Sequence, residues 1–113
     1  MTFINYNTRK KLKIWDGITG PVFHSDQATF GHFTLEAGVK LPAHSHPHEQ
    51  WTHLIEGELE FVIGDETQIM TPGITAFIPS NVEHSATVIK KCKVIDCFMP
   101  IREDFVELEK NTP

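Results

Sequence analysis

His44, His46 and His48 alternate within five residues, in the run Pro42-Ala-His-Ser-His-Pro-His-Glu-Gln50. Neutral imidazole is the commonest protein ligand for a metal ion. On an extended backbone His44 and His46 share a face, about 6.5–7 Å apart along the chain. A further ligand close by can complete a site for one divalent ion. Glu49 and Gln50 each offer an oxygen, and His84, just past a turn, can be carried across by a neighbouring strand. Glu49 has the wrong parity for the His44/His46 face unless a bulge at Pro47 re-aims the chain, so Gln50 is favoured over it. His48 follows Pro47 and is expected at the rim, and His53 is expected to point outward. His24 and His32 have no partner in the pattern and are expected to be surface or core residues.

A second constellation lies in Val94-Ile-Asp-Cys-Phe-Met-Pro-Ile-Arg-Glu-Asp-Phe105. Asp96 and Phe98 share a strand face, and Arg102 follows just past Pro100. Arginine grips a carboxylate through two parallel hydrogen bonds. An aromatic plate covers a sugar or ring face, and a carboxyl with a raised pKa shuttles a proton. The set suits a small anionic substrate. The same residues also permit a purely structural reading, with Asp96 and Arg102 as an ion pair locking a C-terminal helix and Phe98 in the core.

The elements that must hold these residues are strands. Residues 28–35 alternate with a period of two, with Phe30 and His32 on one side and Phe33 and Leu35 on the other. Neither side is purely polar, as in a sandwich or barrel. Further strands are expected at 50–56, 58–63, 67–70, 74–78, 84–89 and 93–98, about eight short strands in all. Gly57 is expected as a tight turn between two of them. Gly64-Asp65 and Pro72-Gly73 mark turns, and Pro79-Ser80-Asn81 breaks a strand. Only Arg102 to Lys110 is patterned as a helix. The expected organisation is an N-terminal arm or edge strand over residues 1–22, a barrel over 23–100, and a short C-terminal helix and tail over 101–113.

Composition excludes several classes. The chain has 113 residues, a formal charge of −5 and two cysteines, which is the size of one domain with its own core. The acidic balance argues against nucleic acid as a partner and against a basic membrane-surface helix. No apolar run approaches the length of a membrane span, and no signal-peptide pattern opens the chain, so a cytoplasmic location is expected. Cys92 and Cys97 lie five residues apart, on opposite faces of an extended segment, and are expected as free thiols.

Two spaced patterns frame the histidines: Gly38-(x)5-His44-x-His46-(x)3-Gln50-(x)6-Gly57 and Gly73-(x)5-Pro79-(x)4-His84. They resemble the two motifs of the cupin family. The resemblance implies an all-β fold, the RmlC-like antiparallel jelly-roll β-barrel, with a short C-terminal helix added here. It implies one divalent metal held by His44, His46, Gln50 and His84, with Zn, Ni, Fe, Mn and Co all compatible. Gln50 stands where glutamate is usual, Asn81 where a turn glycine is usual and Val88 where asparagine is common. Three imidazoles and a neutral amide leave the ion its full charge as a Lewis acid.

The Asp-x-Phe-x-Pro-x-Arg-Glu-Asp-Phe run, with His-Ser-His-Pro-His-Glu-Gln, is similar to the KdgF family of cupins. That resemblance implies conversion of cyclic 4,5-unsaturated uronate monosaccharides to linear keto forms in pectin and alginate catabolism. It makes Asp96 and Arg102 the catalytic pair, with Phe98 and Arg102 binding a small anionic carbohydrate or carboxylate substrate. Eight Phe and two Trp are available to line a pocket. A homodimer is expected by the same analogy. A metal-dependent dioxygenase and a non-catalytic metal- or small-ligand-binding cupin are the alternative functions.

Overall fold

Period-two alternation becomes strand along most of the chain in the computed structural model, which describes residues 2–113. The strands are β1 (Leu12–Trp15), β2 (Ile18–Gly20), β3 (Val22–His24), β4 (Thr29–Leu35), β5 (Lys40–His44), β6 (Glu49–Ile63), β7 (Glu66–Met70), β8 (Thr75–Ile78) and β9 (His84–Met99), followed by α1 (Glu103–Asn111). All pairings are antiparallel.

The two long strands build the barrel. The first half of β6 and the second half of β9 lie between β4 and β8. The second half of β6 and the first half of β9 lie between β5 and β7. Each long strand therefore serves two layers, and the β6–β9 register shifts between Leu54 and Leu59 where the layers change. This is the jelly-roll arrangement, with the core between the layers: Leu54, Leu59, Met70, Ile78 and Val88 are all at most 2% exposed.

Two expectations about strand ends are corrected here. Residues 50–56 and 58–63 form one strand rather than a hairpin, and so do 84–89 and 93–98. Gly57 has φ 100° and is a bend inside β6, where a Cβ would sit 2.2 Å from the Lys91 carbonyl oxygen. A positive-φ glycine serves a turn and a bend equally well. Leu12, Ile18 and Val22, all within the first 22 residues, are buried core residues on β1 to β3. The helix runs one residue later than expected, with Arg102 at its N-cap and Phe105 buried. Glu103 and Asp104 in its first turn and Lys110 in its last complement the helix dipole.

Cys92 is buried, Cys97 is half-buried, and both are free thiols. No helix among the described residues is long and apolar enough to cross a membrane.

Candidate metal centre and its cavity

His44 closes β5 directly opposite His84, the first residue of β9. Their ring centroids are 4.2 Å apart. His46 lies beyond β5, 5.9 Å from the His44 ring and 4.9 Å from that of His84. One ligating atom from each of the three lies within 4.8 Å of the others. The loop carrying His46 is tied to the turn before His84: the Asn81 amide donates to the His46 carbonyl (2.8 Å) and the Ser80 hydroxyl to that of Pro47 (2.6 Å). Asn81 adopts φ 64° there, a conformation Asn tolerates.

Each imidazole has its Nδ1 on a backbone carbonyl: His44 on Pro42 (2.8 Å), His46 on His48 (2.9 Å) and His84 on Val82 (2.9 Å). With Nδ1–H donating, every Nε2 is left as a bare lone pair, the tautomer a metal requires. The Nε2 of His84 is buried without a partner. The Nε2 of His46 faces the Gln50 Oε1 at 3.0 Å. The Gln50 amide nitrogen donates to Thr52 Oγ1 (2.9 Å), which fixes the amide with its oxygen toward His46. An acceptor facing an acceptor and an orphaned buried nitrogen are groups that a cation would satisfy. The donor set of three imidazole nitrogens and one amide oxygen therefore fits a divalent transition metal. Burial pushes the pKa values of His46 and His84 down, keeping these rings neutral near pH 7.

Asp96 sits on β9 opposite Thr52, 8% exposed, with Oδ1 unpartnered. Burial raises its pKa from 3.8 to about 6, against the opposing pull of Thr52, Arg102 and Gln50. Arg102 makes its ion pair with Asp104 rather than Asp96. Nε donates to one carboxylate oxygen (2.9 Å) and Nη2 to the other (2.7 Å), and the guanidinium holds the Asp104 pKa low. The guanidinium carbon lies 4.0 Å from the Phe105 ring centroid and 4.7 Å from that of Phe98, a cation–π seat. The Arg102 backbone N–H donates to the buried Thr29 hydroxyl (2.9 Å), which also bonds His24 Nδ1 (2.8 Å). Phe98 is therefore buried beneath Arg102, and its edge packs against Phe105.

These groups face one cavity of about 380 Å³. Its lining combines the three histidines, Gln50, Asp96 and Arg102 with apolar residues that include Trp15, Ile18, Phe33 and Phe61.

The cupin-domain family model matches residues 31–98, more than half of the chain. The chain belongs to the cupin family. No curated protein matches it. Among solved structures, an RmlC-like cupin from Shewanella frigidimarina is 24% identical with a TM-score of 0.87, covering 93% of this chain and 96% of that one. KdgF from a Halomonas species is 22% identical with a TM-score of 0.86, covering 92% of this chain and 99% of that one. The polyketide cyclase RemF from Streptomyces resistomycificus is 19% identical with a TM-score of 0.76, over 88% and 79% respectively. At these identities the likeness is one of fold.

Within this cupin, Glu49 lies on the outer face of β6, opposite Met99, while Gln50 points inward. His48 is half-buried beside His46, with ring centroids 5.6 Å apart. His53 bonds the Thr75 hydroxyl on the outside, and His32 packs against Tyr6 and Phe23. Thr29, Thr52 and Asp104 complete the site and were not anticipated from the sequence. Thr52 had a signal, since it shares strand parity with Gln50. Thr29 had none, because it meets Arg102 across 73 residues.

Proposed function

We propose that this cupin is a metal-dependent isomerase that opens cyclic 4,5-unsaturated uronate monosaccharides to their linear keto forms. The observation that carries the reading is one cavity faced by three convergent imidazoles, a buried carboxyl and an arginine. The fold likeness to KdgF and the Asp96-to-Phe105 run support it.

His44, His46, Gln50 and His84 would hold a divalent ion, which supplies Lewis acidity when bound. Asp104 engages Nε and Nη2 of Arg102, so the Nη1 edge is left to take the uronate carboxylate. Phe98 and Phe105 hold the guanidinium in place. Asp96 accepts the proton of the hemiacetal hydroxyl. The ring C–O bond breaks as the aldehyde forms, and the former ring oxygen leaves as an enolate. A proton returned to the alkene carbon turns the enolate into the ketone, so atoms and charge balance as an isomerisation.

The test is an assay on unsaturated galacturonate and guluronate monomers with protein loaded with Zn, Ni, Fe, Mn or Co. Loss of the enol-ether chromophore faster than in buffer is expected. No acceleration with any of these metals overturns the proposal. The apolar side chains in the cavity lining favour one alternative, a metal-dependent dioxygenase for an apolar carbonyl compound, which oxygen uptake would reveal.

A further inference from the structure

Five Phe and Trp rings line the cavity, and only one of them is open to solvent. Phe33, Phe61, Phe98 and Phe105 are 3–7% exposed, whereas Trp15 is 45% exposed. The rings of Phe98 and Phe105 are already engaged, because both seat the Arg102 guanidinium. Trp15 belongs to β1, an edge strand that pairs only with β2. Simple alternation along β1 would send Trp15 outward beside Lys13. The β1–β2 register instead shifts between Lys13 and Trp15, with one extra residue on β1. A bulge of this kind turns two consecutive side chains to the same side. Ile14 and Trp15 accordingly both line the cavity. The cross-strand row Trp15, Ile18 and Leu35 continues that wall inward over β2 and β4. The exposed members of the lining, which border its opening, are Trp15, Pro42, His44 and Asp104. A ligand that reaches the three imidazoles from solvent therefore enters past Trp15.

We infer that Trp15 is the aromatic platform of this site and stacks on the ring face of the bound uronate. The inference rests on the isomerase reading for its choice of ligand. The C4=C5 double bond of the unsaturated sugar is conjugated with its carboxylate, so C3 to C6 and the ring oxygen lie nearly in one plane. A flat face of that kind matches an indole, the largest and most rigid apolar plate a side chain offers. Arg102 takes the carboxylate edge-on and leaves the face of the ring to be covered. The buried phenylalanines have no free face to give it, and Trp15 has one. The plate makes the same contact before and during reaction, so it contributes to affinity and ligand choice rather than to the chemical step.

The test uses the full chain, loaded with metal as in the isomerase assay, and the methyl glycoside of 4,5-unsaturated galacturonate. This probe keeps the flat ring and the carboxylate but lacks the hemiacetal hydroxyl. It cannot open, and it reports binding alone. The chain has two tryptophans, so Trp51→Phe leaves Trp15 as the single emitter. Its emission should shift to the blue as the probe saturates the site. By titration calorimetry, Trp15→Leu should raise the dissociation constant at least about 10-fold, while Trp15→Phe should stay within about 3-fold of the wild type. Circular dichroism checks that each variant is folded. In the isomerase assay the loss in Trp15→Leu should fall on KM rather than on kcat. Binding that depends on Trp15 without isomerase turnover would remove the isomerase reading and leave the platform standing. Trp15 emission unmoved at saturation, wild-type affinity in Trp15→Leu, or no binding of the probe overturns the inference.

Discussion

Replacing Asp96 with asparagine should stabilise the metal-free protein while abolishing the proposed isomerase activity. The carboxyl is buried and one of its oxygens has no partner, so ionising it is unfavourable and its pKa rises from 3.8 to about 6. The folded state therefore binds this proton more tightly than the unfolded chain. The stability associated with it is complete below about pH 3.8 and is lost as pH rises through about 6. At about 1.4 kcal/mol per pH unit, the rise from 3.8 to about 6 amounts to about 3 kcal/mol above neutral pH. Asparagine has the same shape and no charge, so the variant escapes that loss. For a chain of this size the difference is worth about 10 °C in Tm. The assay is thermal unfolding of both proteins in chelator at pH 4 and pH 8. The gain should be near zero at pH 4 and largest at pH 8. Other titrating groups are common to both proteins and cancel in the difference. A variant no more stable than wild type at pH 8, or a gain equal at the two pH values, would refute the reasoning. Metal content should be unchanged, and retained turnover on unsaturated uronate would remove Asp96 from the proton-transfer role.

Three further outcomes test the site and its frame. His84→Ala removes the proposed ligand whose Nε2 is buried and unpartnered. Metal content by elemental analysis should fall below stoichiometric, and the rise in Tm that excess metal gives the wild type should disappear. Thr29→Val keeps the shape but leaves the Arg102 amide and His24 without their shared hydroxyl, so urea unfolding should show a loss of about 1–3 kcal/mol. Gly57→Ala places a Cβ 2.2 Å from the Lys91 carbonyl oxygen at a positive φ and should cost at least about 2 kcal/mol in the same assay.

Much of the barrel was legible because alternation of side chains is local. Strands β4, β7 and β8 and the helix are visible in short windows of sequence. The same windows split β6 and β9 in two, because a glycine that bends a strand looks like a glycine that ends one. The cluster of His44, His46 and His84, which could hold a metal ion, was legible by type and spacing. The tautomers were not, since each Nδ1 is set by a carbonyl whose direction depends on the loop path. The sequence left Asp96 and Arg102 open as an ion pair, because both lie near the end of β9. Asp104 takes the guanidinium instead, since the first turn of α1 brings it within a bidentate fork.

The sequence by itself determined that the chain is a small acidic β-protein of cupin pattern, with a histidine pair held on one short segment. Those properties follow from composition and from spacings of two residues, which the backbone geometry of a strand translates directly. Only the tertiary structure decided that His84 stands opposite His44, that Asp96 is buried opposite Thr52, and that an uncharged, largely aromatic row crosses four strands on the outside. Each of these is a matter of register between strands distant in the chain. Register is fixed by the whole buried face at once and not by any one segment.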